Sequence, residues 1–156
     1  YNNLLLITDY SNKAVRTVDV MSQYVGTFVK SDSLQYIRSI TQDQKSGDVY
    51  VTVPQAVYRV AYIQRIVSMI SRSTDSFSYK ESTLLDSLFD WPYELIFITP
   101  HTLLLADKDN KKHRLVDMNS HKVRTLNVRS SLNNPNSLLL TNNSLYVGQY
   151  QKIITV

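Results

Sequence analysis

Four short apolar runs are the most regular feature of the pattern of hydrophobic and polar positions along this chain. The runs begin at positions 4, 48, 102 and 144, so successive starts are 44, 54 and 42 residues apart. In chain order they are LLLITD (4–9), DVYVTV (48–53), TLLLAD (102–107) and SLYVGQ (144–149). This spacing indicates one supersecondary unit that recurs along the sequence.

A turn and then another strand are predicted after each run. The clumps DYSN and DKDN are typical of turns, because Asn and Asp accept local hydrogen bonds and tolerate left-handed backbone. The surrounding segments are rich in Val, Ile, Leu, Thr and Tyr, as strands are. Since LLLITD and TLLLAD lack clean alternation, we predict inner strands buried on both faces, with Leu5, Val51, Leu104 and Tyr146 at equivalent positions.

Each repeated unit is predicted to contain four short antiparallel strands. A unit of ~40 to 50 residues with four strands is typical of a β-propeller blade, so the sequence predicts an all-β chain forming one propeller segment. The approximate blades are 1–30, 34–71, 93–129 and 136–156, and 72–92 is predicted to be a connecting loop with a short helix. Within that loop, Thr83 and Asp86 have the spacing of a capping box.

The first and third units resemble NHL-type propeller repeats. The residues that carry the resemblance are Ala106, Asp107, Asn110, Val116, Asp117 and Val123 in the third unit, and Asp9, Asn12, Val18 and Asp19 in the first. The second and fourth units match less well, and three glycines in the whole chain are few for turns of this kind. The resemblance implies an incomplete arc of a six-bladed propeller.

The number of units predicts an open arrangement. The first unit begins on a second strand and the last lacks a final strand, so two apolar faces have no neighbouring blade. We expect those faces to be covered by the remainder of a longer propeller or by another subunit; a four-bladed ring is the alternative. The residues predicted there are Leu4, Leu6 and Val18 at one end, and Leu145, Val147 and Ile153 at the other.

The amino-acid composition excludes several kinds of functional site and adds little to the prediction of the fold. The 156 residues include no cysteine, which excludes disulfides, thiolate metal sites and cysteine nucleophiles. The net charge of +4 is compatible with an acidic partner without requiring one. No apolar run approaches the ~20 residues of a membrane span, so membrane insertion is not expected.

No catalytic or metal-binding constellation is recognised in the sequence. His101, His113 and His121 lack metal-ligand spacing and are interpreted as solvated turn residues. Asp9 and Asp107 recur with the repeat, so we interpret them as structural turn residues rather than as paired catalytic acids. We therefore expect a protein that is not an enzyme and that needs no metal or other cofactor.

The densest basic segment lies in the third unit. Lys108, Lys111, Lys112, His113 and Arg114 form a candidate binding loop, because phosphate contacts need clustered cations. Single-stranded RNA is a possible partner of such a loop, but RNA sites usually add stacking aromatic residues, and the tyrosines are interpreted as packing residues. An ordinary solvated loop is the favoured interpretation.

One glycosylation sequon points weakly to a compartment. Asn142 is followed by Asn143 and Ser144, which makes Asn142 a candidate for glycosylation in an extracellular or cell-surface protein; a cytoplasmic location is the alternative. The function favoured by the sequence is a non-catalytic interaction module that binds a protein or glycan through a propeller face. The alternative is a propeller that binds single-stranded RNA.

Overall fold

The fold is all-β and consists of antiparallel sheets arranged in chain order. The computed structural model describes residues 3–72, 83–84, 87, 89–127, 133–142, 144–149 and 152–155. These residues form fourteen strands in four sheets. Sheet 1 contains β1 (Leu4–Asp9), β2 (Ala14–Asp19) and β3 (Val25–Lys30), and sheet 2 contains β4 (Ile40–Gln42), β5 (Val49–Val53), β6 (Ala56–Val60) and β7 (Val67–Arg72). Sheet 3 contains β8 (Pro92–Thr99), β9 (Thr102–Asp107), β10 (Lys112–Asp117) and β11 (Lys122–Leu126), and sheet 4 contains β12 (Ser137–Leu140), β13 (Leu145–Gln149) and β14 (Lys152–Thr155).

Sheets 2 and 3 are complete four-stranded meanders, and their strands are called A, B, C and D in chain order. Strands β1, β2 and β3 correspond to B, C and D, while β12, β13 and β14 correspond to A, B and C. A single 3₁₀ turn, Asp32–Leu34, lies between sheets 1 and 2. The predicted architecture of blade-like antiparallel sheets is therefore confirmed, including the first sheet that starts on its second strand.

Three hydrophobic cores hold neighbouring sheets together. The core between sheets 1 and 2 includes Val15 and Val51, and the core between sheets 2 and 3 includes Tyr50 and Leu103. Leu104, Ala106, Leu138 and Val147 form the core between sheets 3 and 4. The B strands of sheets 2 and 3 thus contribute alternate residues to the cores on their two sides, which is why an apolar run such as TLLLAD does not alternate in sequence.

The B strands are not the inner strands of the arc, so that part of the prediction is wrong. Strand β8 contacts both β4 and β12, which places the A strands of neighbouring sheets side by side along the inner edge. The apolar runs instead form the second strands, which are flanked by partners on both sides in sheets 2 and 3. The neighbouring sheets bury both faces of the B strands in sheets 2 and 3, as predicted.

The predicted register is also wrong by one residue. Asp9 pairs with the first residue of β2 and Asp107 with the first residue of β10, so Leu5 corresponds to Leu103 rather than to Leu104. Because side chains alternate across a strand, Leu5 and Leu104 face opposite sides of their sheets. Leu5 is 53% exposed, whereas Leu104 is fully buried. The four residues predicted to be equivalent lie in equivalent strands, but Leu5 and Leu104 occupy different register positions.

The two end sheets each leave one apolar face open, although not through all of the predicted residues. On sheet 1 the open face carries Leu5, Ile7 and Val25, which are 45 to 59% exposed, while Leu6 packs into the core toward sheet 2. On sheet 4 the open face carries the exposed residues Leu139, Tyr146 and Ile153. Val147, predicted to be open, is fully buried against sheet 3.

The connection between sheets 2 and 3 is described only in part. Leu84 and Phe89 are buried in the core between those sheets, and the N–H of Leu84 donates to the carbonyl of His121 at 2.7 Å. Trp91, in contrast, is 36% exposed. Asp86, and with it the predicted capping box, lies outside the described residues.

Candidate functional site

The turns that join strands B and C are organised by an aspartate at the end of strand B. In sheet 1 the Asp9 carboxylate accepts hydrogen bonds from Asn12 Nδ2 at 2.9 Å and from Arg16 Nε at 2.9 Å. These contacts hold the four-residue turn against the sheet. The hydrogen bond from Arg16 is the main reason that the pKa of Asp9 lies below its usual range, with Asn12 adding to it.

The same turn recurs in sheet 3, but there it is buried. Asp107 accepts from Asn110 Nδ2 at 2.9 Å, from the Asp90 N–H at 2.8 Å and from Arg114 at 3.4 Å. The side chains of Asp107 and Arg114 are both fully buried. Burial raises the pKa of Asp107 to about 6, against the lowering effect of its three donors. The carboxylate is occupied by turn contacts, as the repeat predicts for a structural residue.

A second pair of aspartates organises the turns between strands C and D. Asp19 and Asp117 each accept hydrogen bonds from the backbone N–H groups two and three residues further on, at 2.9 to 3.0 Å. These bonds lower the pKa of both carboxyl groups. The recurrent acids of the sequence therefore build turns at both ends of the sheets.

The predicted basic loop does not form one exposed surface. His113 and Arg114 are fully buried, so the prediction that they belong to an exposed binding loop is wrong. They are consecutive strand residues of β10 and point to opposite faces of sheet 3, each covered by a neighbouring sheet. Lys108, Lys111 and Lys112 lie at the surface of the same turn, and their role in binding stays a prediction.

His113 also departs from the prediction of solvated turn histidines. Both ring nitrogens are buried and make no hydrogen bond within the described part of the chain. Burial lowers the pKa of His113 to about 4, because the charged imidazolium would lose its hydration. His101 and His121 are exposed turn residues, as predicted.

An aromatic groove opens at the end of the sheets that carries the B–C turns. It has a volume of about 830 Å³ and is lined by four aromatic residues, Tyr10, Tyr36, Tyr58 and Trp91. Tyr10 is 45% exposed and Tyr36 is 47% exposed, and their ring centroids are 5.4 Å apart. We call this feature the loop-end groove. Exposed aromatic rings gathered in a concave surface are characteristic of binding sites.

Arg38 lies beside the loop-end groove, against two of the aromatic rings that line it. Its guanidinium carbon lies 4.5 Å from the centroid of the Trp91 ring, 4.9 Å from that of Tyr93 and 5.9 Å from that of Tyr10. The Lys108 amino group lies 5.1 Å from the Tyr93 centroid. Two cations therefore lie beside the rings, at distances typical of cation–π contacts.

Hydrogen bonds between sheets fix the positions of Arg38 and Tyr93. The Thr8 hydroxyl of sheet 1 donates to the Arg38 carbonyl at 3.3 Å, and the Thr52 hydroxyl of sheet 2 donates to the Tyr93 carbonyl at 3.0 Å. These threonines occupy the same position in successive B strands. The loop residue Trp91 is held in turn by its N–H, which donates to the carbonyl of Pro54 at 3.0 Å.

Sequence reasoning missed the loop-end groove because its residues are far apart along the chain. Tyr10 directly follows a B strand, whereas Tyr36, Arg38 and Trp91 lie just before or at the entry to an A strand. In an antiparallel meander these two positions share one end of the sheet. Alignment of strand ends across the repeats would have brought the aromatic residues together.

Three further predictions concern glycosylation, metal binding and membrane insertion. Asn142 is exposed in the turn before β13, where the Ser144 N–H donates to Thr141 Oγ1 at 3.2 Å, and its glycosylation stays a prediction. Across the described ranges, no three His, Asp or Glu side chains come together in a way that could hold a metal ion. The described segments also contain no apolar helix of the length needed for a bilayer crossing.

Comparison with solved structures agrees with the propeller fold. An auxiliary nutrient binding protein from Bacteroides ovatus aligns with 95% of this chain at a TM-score of 0.78 and 15% identity, over 43% of its own length. A chain of a nidogen/laminin complex aligns with 99% of this chain at a TM-score of 0.76 and 12% identity, over 55% of its length. Virginiamycin B lyase from Staphylococcus aureus aligns at a TM-score of 0.66 and 10% identity, with 95% of this chain and 45% of the lyase covered.

These similarities establish the fold alone. The four sheets are β-propeller blades. The chain spans about half or less of the length of the structures it matches. No protein-family model matches the sequence, and no curated protein matches it. The resemblance to NHL repeats in particular stays a prediction.

Proposed function

We propose that this propeller segment is a non-catalytic binding module that takes a protein or glycan at its loop-end groove. The observation that carries the proposal is the convergence of exposed aromatic rings from three separate loops in one concave surface. Aromatic side chains bury a large area at low entropic cost and often dominate binding energy. The name of the Bacteroides ovatus neighbour, a nutrient binding protein, fits this class of function.

The polar lining of the loop-end groove favours a glycan over a protein. Asp32, Ser33, Gln35 and Gln55 supply carboxylate, hydroxyl and amide groups beside the aromatic rings. These groups can donate to and accept from sugar hydroxyls, while the rings cover the apolar faces of the sugar. Such a mixture of rings and hydrogen-bonding groups is typical of small-ligand sites.

The non-catalytic part of the proposal rests on how the recurrent acids are used. Asp9, Asp48 and Asp107 each pair with an arginine of the neighbouring C strand. A carboxylate tied into such a pair holds strands together and is not directed into the groove. We place the module outside the cell or at its surface, with the exposed Asn142 as the supporting residue.

Single-stranded RNA is the second candidate ligand. Arg38 and Lys108 beside aromatic rings resemble the combination of cations and stacking platforms that single-strand binders use. A nucleic acid track, however, needs cations along its length, and the loop-end groove also presents Asp32. The glycan is therefore favoured.

The test is a binding screen of the protein against an oligosaccharide panel and single-stranded RNA. Trp91→Ala should weaken binding of the selected oligosaccharide by about fivefold or more, because a stacked ring contributes at least ~1 kcal/mol. Tyr24→Ala is the matched control, since Tyr24 is 71% exposed at the opposite end of the sheets. Equal loss in both variants, or unchanged binding in Trp91→Ala, would overturn the assignment of the groove.

A further inference from the structure

Arg38 differs from the arginines that stabilise the sheets. Arg16, Arg59 and Arg114 each form an ion pair with an aspartate. Arg38 has no carboxylate partner among the described residues, and its Nε is buried without a hydrogen bond there. A guanidinium carries five N–H donors in one plane, so an unpaired one at a binding groove has strong residual capacity for an anion.

The surroundings of Arg38 leave its in-plane edge as the place for a ligand. Aromatic rings lie near the guanidinium at 4.5 Å for Trp91 and 4.9 Å for Tyr93. Guanidinium groups stack on aromatic faces, and planar anions such as carboxylates bind in the plane through two parallel hydrogen bonds. Arg38 as a whole is half-buried, so the rings hold the cation without enclosing it.

The acidic residues near this end of the sheets are already engaged. Asp32 lies 2.8 Å from the amino group of Lys13, and Asp107 is held by turn contacts. Asp90 is buried, and Asp109 lies next to Lys108 in the B–C turn of sheet 3. Lys108 adds a second cation beside Tyr93. Arg38 thus carries a positive charge that no ion pair among the described residues compensates.

We propose that the loop-end groove binds an acidic saccharide, with Arg38 holding the carboxylate or sulfate of a sugar unit that lies against the aromatic rings. This inference rests on the proposed function, because it names the chemical class of ligand for the same groove. The acidic group supplies the negative partner that the Arg38 guanidinium lacks within the described part of the protein. The sugar ring supplies an apolar face that Trp91 and Tyr10 can cover.

The experiment compares an oligouronate with the same oligosaccharide after reduction of its carboxyl groups to alcohols, by calorimetric titration of the whole chain. The acidic form should bind about tenfold more tightly, because a charge-assisted hydrogen bond contributes ~1.5 kcal/mol or more. A sulfated neutral oligosaccharide in a third titration distinguishes sulfate from carboxylate as the preferred group. Tight binding of either anionic form supports the proposal.

Variants of Arg38 test its role directly. Arg38→Gln should abolish the preference for the acidic form, so that the acidic and reduced forms bind with similar affinity. Arg38→Lys, which retains the charge and the packing stem, should keep part of the preference and covers the case in which Arg38→Gln fails to fold. Lys45→Gln is the matched control, since Lys45 is an exposed cation of the A–B turn of sheet 2, at the opposite end of the sheets, and should leave both affinities unchanged.

The outcomes separate this inference from the proposed function. Equal affinity for acidic and reduced forms, with both weakened by Trp91→Ala, would overturn the role of Arg38 and leave glycan binding in place. Absence of binding to every oligosaccharide would overturn both proposals, and tight binding of single-stranded RNA in that case would replace them with the nucleic acid alternative.

Discussion

Left-handed residues close the four-residue turns in place of glycine. Lys13 and Lys111 end the B–C turns of sheets 1 and 3 with φ of 55° and 54°. Gln23 and His121 lie in the C–D turns of the same sheets with φ of 59° and 54°. Gly47 is the one glycine at positive φ, at 77°. The small number of glycines in the sequence therefore reflects turns that use strained, non-glycine residues in the conformation glycine favours.

Lys111→Gly is predicted to stabilise the protein. A non-glycine residue in the left-handed region costs ~1 kcal/mol or more in the folded state, and replacement by glycine removes this cost. The greater conformational freedom of glycine in the unfolded chain cancels part of the gain. We expect a gain of about 0.5 to 1 kcal/mol in the free energy of unfolding, measured by denaturant titration. Lys111→Ala separates the backbone effect from loss of charge and should not stabilise; stabilisation by both variants would contradict the explanation.

His113→Leu is predicted to protect the protein against acid. With a folded pKa of about 4, His113 binds fewer protons in the folded than in the unfolded state, so its contribution to stability is lost as pH falls from 6.5 toward 4. The raised pKa of Asp107 acts in the opposite direction between 3.8 and 6, because there the folded state binds more protons. The two effects largely offset each other in the natural protein.

The measurement is the difference in unfolding free energy between His113→Leu and the natural protein at pH 7 and at pH 4. Acidification from pH 7 to pH 4 should raise the unfolding free energy of the variant, relative to that of the natural protein, by about 3 kcal/mol. The pKa of His113 differs by about 2.5 between the unfolded and folded states, which corresponds to that energy after allowance for partial protonation. A difference in unfolding free energy that does not depend on pH would show that folding leaves the pKa of His113 unchanged.

At the scale of the strand, burial is decided by the neighbouring sheet rather than by the sequence of the strand itself. Leu103, Leu105 and Val123 on sheet 3 are at most 3% exposed because sheet 2 covers them. Their counterparts on sheet 1, Leu5, Ile7 and Val25, are exposed. For the same reason, the ion pair of Asp107 and Arg114 on sheet 3 is buried, whereas the corresponding pair of Asp9 and Arg16 on sheet 1 is partly exposed.

A matched pair of truncations tests this dependence. Leu103→Ala should cost about 2 to 5 kcal/mol of unfolding free energy, because it leaves a cavity between two sheets. Leu5→Ala, at the corresponding position of sheet 1, should cost well under about 1 kcal/mol. Similar losses measured by denaturant titration for the two variants would show that the positions are not equivalent in the way the register indicates.

The strands and their order could be predicted from the sequence, but the register could not. Continuous apolar runs such as TLLLAD have no period of two, so they do not show which residue faces which side. The turn aspartates hold the missing information for sheets 1 and 3, since Asp9 and Asp107 are the last residues of the B strands there. The groove was missed for a different reason: Tyr10, Tyr36 and Trp91 come from loops whose composition resembles any other polar connection.

At the scale of the whole molecule, the two open faces govern behaviour in solution. Leu5, Ile7 and Val25 at one end and Leu139 and Ile153 at the other present apolar surface that internal sheets bury. Soluble monomers rarely expose contiguous apolar patches beyond a few hundred Å². We expect further blades or a second subunit to cover these faces, and a six-bladed ring stays a prediction.

Light scattering on the 156-residue chain tests this expectation. The chain should associate as its concentration rises, and Ile7→Lys together with Ile153→Lys should reduce the association, since both residues lie on the open faces. Met21→Lys is the control, because Met21 is 75% exposed in the C–D turn of sheet 1, outside those faces. A monomer at all concentrations with a cooperative melt would contradict the open-arc account.

The most direct test of the binding account uses the single tryptophan of the chain, Trp91, which lies in the loop-end groove. Its fluorescence should change saturably during titration with an acidic oligosaccharide, with a midpoint that agrees with the calorimetric affinity, because the ligand displaces water from the indole ring. The reduced oligosaccharide should give the same change at higher concentration. Calorimetric binding without any change in Trp91 emission would show that the ligand binds elsewhere and would contradict the central claim.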